Sequence, residues 1–461
     1  MSSFTGINTA LSAIRARQAQ MNTTGHNIAN ANTEGYRRQD VILTSSVSSG
    51  VVSDLGRGIA QLGTGVSIGS IQRAQTDFVD AQIRITNQQS GNWSARNTML
   101  AQLEPVLAEP GDSGLSATLN QFWNSWEDLT ASPESVAART AVAENGAALA
   151  DRIRNMNYNI TNMQTQVDNK VKADVSDINE MATEIASLNE LIAQPKTSTN
   201  PQNDLLDKRD LLIEQLSQFT DIQVHGSGGA DTIISIGGKI LVQGNQTSKI
   251  DLDYTSGHAN PVWANDGTPV IITSGELRGY IDVRDQTANN YLTMLDKITS
   301  AIVTRVNEIH STGATYIGSR AGNFFVPGST SANIQIESVL LNYPSYIAAG
   351  AFGNGKNDNS ISNQIAGIRR EALVDGQTIG AAYTTLIAQI GANTADAKTQ
   401  SEVQDSALSQ RKSQRESIAG VSLDEEMVNM VKFQQSYNAA ARILTVMNEM
   451  IDTIINRMGS G

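Results

Sequence analysis

Three features of the sequence predict a mainly α-helical fold carrying one β-rich insertion. Apolar residues alternate at spacings of three and four at both chain ends, no Pro or Gly interrupts residues 147–194, and residues 221–285 switch to short β-branched runs around a Gly-Gly pair. At the N-terminal end Ile7, Leu11, Ile14, Gln18, Met21, Gly25 and Ile28 fall on one helical seam, the pattern that packs against a partner helix. Asn27, Asn30, Asn32, Thr33, Gly35 and Tyr36 then form a turn that ends this helix. Asn and Gly tolerate left-handed backbone, and the amides satisfy carbonyls left open at a helix end.

A helix is predicted around Leu115, Leu119, Phe122, Trp126 and Leu129, with Phe122, Trp123 and Trp126 as core residues. Ser132-Pro133-Glu134 reads as the start of the next, with Ser as N-cap and Pro in the first helical position. Its apolar stripe runs through Leu149, Ile153, Met156, Ile160, Met163 and Val167. After a stutter at Val171 and Val175 it continues through Ile178, Met181, Ile185, Leu188 and Ile192. The part free of Pro and Gly alone would be a rod of roughly 70 Å. Further helices are expected over 204–219, 286–310 and 376–413.

In the insertion, 232–236 and 239–243 flank Gly237-Gly238, a hairpin signal expected to pair Ile234 with Leu241 and Ile233 with Val242. Residues 269–273 and 280–283 read as additional strands, and the whole as a small β module projecting outward. A Gly- and Asn-rich segment, 319–359, reads as short and irregular. The C-terminal stripe is Leu423, Met427, Met430, Gln434, Tyr437, Ala441, Leu444, Asn448, Ile451, Ile455 and Met458, widened by Val428, Val431, Met447, Met450 and Ile454. Three domains follow: 1–45 with 418–461 as a terminal coiled-coil polymerisation unit, 46–220 with 286–417 as a helical rod-like body, and 221–285 as the outer module. Ile7, Leu11, Ile14, Met21 and Ile28 on the first helix, and the C-terminal stripe centred on Tyr437, Ala441 and Leu444, are expected to be assembly surfaces covered by neighbouring molecules; the alternative is that the two helices pair only with each other as an intramolecular hairpin.

Composition narrows the function. Of 461 residues, 33 are Lys or Arg and 46 Asp or Glu, so the net charge of −13 offers no footprint for nucleic acid or anionic lipid. No stretch has the length and apolarity of a membrane span or a signal-peptide core, so neither membrane insertion nor a cleaved signal is expected. The absence of Cys removes disulfides, thiolate metal sites and thiol nucleophiles. His26, His225, His258 and His310 stand far apart without metal spacing. Asp204, Asp207 and Asp210, like Asp424, Glu425 and Glu426, lie at expected helix starts, where the macrodipole favours solvated acids. No catalytic, cofactor or metal site is expected, and the chain reads as a non-enzyme.

Gly25 to Gln39, GHNIANANTEGYRRQ, resembles the N-terminal signature shared by flagellar rod, hook and hook-associated proteins. Gly420 to Asn456, opening GVSLDEEM, resembles the C-terminal element of the same axial proteins. IASLNELI at 185–192 and NDLLDKRDLLIEQLSQF at 203–219 are similar to the helical centre of the hook-associated protein 1 family, which rod and hook subunits lack. The resemblance implies an extracellular structural subunit of the bacterial flagellum at the hook–filament junction, exported by the flagellar type III apparatus without a cleaved signal. It implies as partners the hook protein, a second junction protein, further copies of itself, and a cytoplasmic chaperone holding the C-terminal helix before export. Many relatives carry a larger outer domain where this chain has only 319–359. A hook or distal-rod subunit is the alternative within the class; an enzyme on an axial scaffold and a cytoplasmic coiled-coil adaptor are those outside it.

Overall fold

The computed structural model describes residues 2–46, 49–52, 59–103, 114–194, 202–226 and 228–453. Its spine is one helix, here α4 (Val136–Ala193), of 58 residues and so about 87 Å long. It begins later than the Ser132-Pro133 signal suggests. Those residues form a turn, Ser135 N donating to Ser132 O, and Ser135 is the cap, its Oγ accepting from Ala138 N at 3.1 Å. One stripe of α4, from Val142 through Leu149, Ile153, Ile160, Val167, Val171, Ile178 and Ile185, is buried along its length.

The stripe is covered in relay. Near its start lie α3 (Leu115–Ala131) and the segment 319–359; near its end lies α5 (Gln202–Phe219). Phe122, Trp126, His310, Phe324 and Phe325 form one aromatic cluster with ring centroids 4.9–6.3 Å apart. The Gly- and Asn-rich segment is therefore core: Phe324, Phe325 and Ile334 are fully buried, and around them sit only short elements, among them β11 (Gly313–Ala314), α8 (Ser338–Asn342) and β12 (Gly350–Ala351).

The β module consists of a four-stranded antiparallel sheet in order β5-β6-β7-β8 (Ile222–His225, Ile233–Ile236, Lys239–Gln243, Gln246–Thr247) and a pair, β9 (Ile250–Asp253) with β10 (Asn260–Trp263). Gly237 and Gly238 have φ of 54° and 82°, the left-handed pair that a two-residue hairpin requires. The expected register is corrected: a bulge at Ile234/Ser235 pairs Ile234 with Val242 and Ile233 with Gln243. The module rests against the flank of α4 with Ile234, Leu241, Val242, Ile250 and Trp263 buried. Residues 280–283 are not a strand. They belong to α6 (Glu276–Asp282) and to a π-helical stretch, Val283–Ala288, that leads into α7 (Asn289–His310). The π turn aims Arg284, fully buried, at Asp168 of α4 (2.7 Å) and at Ala259 O (2.7 Å), riveting the module to the spine.

Residues 39–73 also differ from expectation. The body expected to be helical from residue 46 opens instead on strands: the described residues form two antiparallel ribbons, β1 (Gln39–Ser45) with β4 (Val66–Arg73) and β2 (Ser49–Val52) with β3 (Ile59–Leu62). The chain then enters α2 (Asp77–Leu100), which packs on α5, α6 and α10 (Ile379–Ala419). Before α10 come α9 (Ser360–Gly367) and the strand pair β13 (Ala372–Val374) with β14 (Gln377–Thr378). The terminal helices, α1 (Ser2–Asn30) and α11 (Leu423–Asp452), pair with each other, and α1 also packs on β1 and β4.

Candidate functional site: the terminal helix pair and its joint

Burial along α11 follows Glu426, Met430, Phe433, Tyr437, Ala440, Leu444, Met447 and Ile451, a 4-3 alternation facing α1. Arg17 of α1 lies over the Phe433 ring at 5.9 Å, and a Cβ at Gly6 would collide with the Met447 thioether. Of the sequence-derived seam, Met430, Tyr437, Ala441, Leu444 and Ile451 are half-buried on or beside this line; Leu423 and Met427 are exposed at 48% and 54%. Ile454, Ile455 and Met458 lie outside the described residues. On α1, Ile7, Leu11, Ile14, Met21 and Ile28 are all half-buried. The pair does not use up its apolar surface: Leu423, Met427, Val428, Val431, Ile443, Val446 and Met450 stand exposed on α11.

Asn27 and Asn30 lie in the last turns of α1, with Asn32, Thr33, Gly35 and Tyr36 after its end. Gly35 has φ +80° and lies against Leu211, which a Cβ would meet at 3.2 Å. Asn27 is buried, and its amide does the work of a strand neighbour. Nδ2 donates to Gln39 O (3.0 Å), while Oδ1 accepts from Gln39 N (3.0 Å) and from the Tyr36 hydroxyl (2.7 Å). Because that hydroxyl gives its proton to Asn27, its oxygen accepts from His26 Nδ1, 3.0 Å away. Burial, reinforced by Asp204, Asp207 and Glu426, pushes the Tyr36 phenol well above its ordinary range, so it remains a donor.

Beyond this turn the terminal pair joins the body through buried charge. Arg37 contacts Asp80 of α2 at 2.9 Å and Asp210 of α5 at 3.2 Å, and its backbone N donates to Asp207 Oδ2 at 3.1 Å. Arg73, closing the β1–β4 ribbon, contacts Asp207 at 2.9 Å and Asp210 at 2.8 Å. Gln39 Nε2 donates to Asp204 Oδ1 at 2.9 Å. On α10, Arg415 and Lys412 hold Glu214, with Arg415 also reaching toward Asp80. Burial alone would raise the Glu214 carboxyl; the two cations outweigh it and hold it below the usual carboxylate range. Main-chain bonds complete the joint, Arg38 N to Ala419 O and Ala74 N to Arg38 O, both 2.9 Å.

The reading of Asp204, Asp207 and Asp210 as solvated acids is thus corrected: Asp207 is 5% exposed, Asp207 and Asp210 face Arg37 and Arg73, and Asp204 accepts from Gln39 Nε2. Their i, i+3, i+6 spacing on one side of a helix was the available signal. Their cations stand more than 130 residues away in sequence, which no local pattern reveals. Among the described residues no cluster of His, Asp and Glu has metal-binding geometry, and no helix is long and apolar enough to cross a membrane.

Comparison with known proteins agrees with this architecture. Residues 100–325 match the model of the flagellar hook-associated protein FlgK helical domain, 412–458 that of the flagellar basal body rod FlgEFG protein C-terminal region, and 7–37 that of flagella basal body rod proteins. Flagellar hook-associated protein 1 of Bacillus subtilis is 31% identical over 100% of this chain and 99% of its own length. The Escherichia coli protein of the same name is 26% identical over 98% and 99%. The solved structure of the flagellar hook junction protein FlgK from Burkholderia pseudomallei superposes with a TM-score of 0.64 at 15% identity, covering 73% of this chain and 100% of that one, and so shares the fold. With a relative this similar along the whole chain, and a centre that matches the FlgK helical domain, the chain belongs to the flagellar hook-associated protein 1 family, the hook–filament junction proteins of the bacterial flagellum.

Proposed function

We propose that this subunit builds its part of the junction through the α1–α11 pair, which lines the inner wall of a tubular axial polymer while the helical body and β module stand outside it. The observation that carries the reading is the uncovered apolar row on α11, Leu423, Met427, Val428, Val431, Ile443, Val446 and Met450. An apolar row on a helix already paired along its other side is what a repeating neighbour covers. Residues 1–45 with 418–461 are then the polymerisation unit, in which Ile7, Leu11, Ile14, Met21, Ile28, Met430, Tyr437, Ala441, Leu444 and Ile451 hold the pair together. Neighbours in the tube are the hook protein, further copies of this chain and the second junction protein. Before export the same row is covered by a cytoplasmic chaperone, and the assembled protein is extracellular. Its role is structural, not catalytic, and requires no cofactor.

The test joins place and contact. Immunogold labelling of flagellated cells should mark the hook–filament boundary; cytosolic retention defeats the reading. Val431→Glu with Val446→Glu should leave a folded, exported subunit that does not cap hooks, because a carboxylate then faces an apolar neighbour. Normal junctions from that variant would show that the row is not an interface.

A further inference from the structure

The chain contains two Asn-Gly dipeptides, Asn145-Gly146 and Asn354-Gly355. In such a pair the backbone nitrogen of the second residue can reach the side-chain amide carbon of the first, and glycine has no Cβ to obstruct ring closure. The structure separates the two. Asn145 and Gly146 lie within α4, where the backbone is fixed in the helical ladder, and a Cβ at Gly146 would come within 2.8 Å of Ile336 and 2.9 Å of Phe324. Asn354 and Gly355 are exposed in the turn between β12 and α9. Gly355 has φ +94°, no atom lies within 4 Å of where its Cβ would be, and its N–H makes no hydrogen bond among the described residues.

We propose that Asn354 is a site of non-enzymatic covalent modification, converted by deamidation to aspartate and isoaspartate. The Gly355 nitrogen loses its proton to water or hydroxide and attacks Asn354 Cγ. A C–N bond forms as the Cγ–Nδ2 bond breaks, and Nδ2 departs as ammonia after taking a proton from water. Water then opens the five-membered imide at either carbonyl; no oxidant or reductant is consumed. Asp358 bears on both ends of this sequence. Its Oδ2 accepts from Asn354 Nδ2 (3.0 Å), Ala351 N (2.8 Å) and Ser360 Oγ (2.9 Å), so the leaving nitrogen is oriented before reaction. The product replaces that donor with a carboxylate, setting two like charges against each other. The turn they hold also carries the exposed Phe352 and Lys356, whose Nζ lies 4.6 Å from the centre of the Tyr316 ring. Conversion therefore loosens one exposed turn at the aromatic-cluster end of the body and adds a negative charge there.

The experiment ages the full-length protein in warm, mildly alkaline buffer and maps its tryptic peptides by mass spectrometry, with enzymatic methylation to count isoaspartate. Conversion at Asn354 should run at least about tenfold faster than at Asn145, since α4 must open locally before the Gly146 nitrogen is free. In denaturant the two rates should converge, and Asn354→Gln should remove most of the isoaspartate formed by the folded chain. Equal rates in the folded protein overturn the proposal. So does an Asn354 that converts only after denaturation, or isoaspartate that persists undiminished in Asn354→Gln.

Discussion

The spine and the terminal pair are both long amphipathic helices, yet they treat their apolar residues in opposite ways. Along α4 the stripe from Val142 to Ile185 is closed off by α3, α5, the β module and residues 319–359. Along the 30 residues of α11 only Glu426 and Ala440 are buried, while seven large apolar side chains stand exposed. Periodicity marks a face that needs covering. Whether the cover comes from the same chain or from a neighbour depends on what the rest of the chain supplies, and for α11 the described residues supply one helix.

The contrast is broken most severely from the body side. Trp126→Ala removes the centre of the aromatic cluster, fully buried between Phe122, His310 and Phe324. It should cost about 3–5 kcal/mol and appear as a large fall in melting temperature. Arg37→Met should cost about 3 kcal/mol by leaving Asp80 and Asp210 without this partner. Here the location matters most: hydrogen exchange should rise in α1, α11 and β1 while α3 and α4 stay protected. Uniform loss of protection would show that the two regions unfold as one.

Proton linkage sharpens the comparison further, because both strongly shifted groups with acid–base chemistry near neutrality belong to the body. Burial, with Arg139 nearby, pulls the His310 imidazole down to about 4; it is neutral, Nδ1 donating to Gly322 O and Nε2 accepting from Ala348 N. Its folded pKa lies below the unfolded value of about 6.5. The stability it contributes is therefore complete above pH ~6.5 and lost as pH falls toward 4, about 3 kcal/mol in all. Asp174 on α4 is the opposite case. Burial, then Glu276 and Asp177, push its carboxyl up to about 7, and Oδ2 has no hydrogen-bond partner. A raised carboxyl costs stability as pH rises from its unfolded pKa of about 4 through 7. Asp174→Asn should stabilise the body by about 4 kcal/mol at pH 8 and by almost nothing at pH 4, measured by denaturant titration. An equal gain at both pH values would assign the effect to packing. The smallest effect belongs to α11: Val431→Glu, at a site 53% exposed, should change subunit stability by less than about 0.5 kcal/mol. A larger fall would mean that the row is already covered within the free chain.

Legibility in the sequence followed the range of the interactions. The α4 stripe, the Gly237-Gly238 turn and both terminal helices depend on neighbours a few residues apart, and were readable. The hairpin register was not, because the Gly-Gly turn signal carries no mark of the bulge at Ile234/Ser235. Residues 280–283 have strand composition but are drawn into a helix by Leu277, Tyr280 and Val283 meeting the core. Phe324 and Phe325 sit in a stretch whose Gly and Asn content suggests a surface loop, and only the tertiary cluster reveals them as core. At the joint, each acid and each base has an ordinary local explanation, and only their meeting across the fold discloses the network.

That joint also fixes how load passes through the molecule. Three segments cross it side by side, at Arg38, Ala74 and Ala419, tied by two main-chain bonds and flanked by the Arg37 and Arg73 pairs. A force on the terminal helices therefore reaches the body through the outgoing and returning chains together, not through a single strand of backbone.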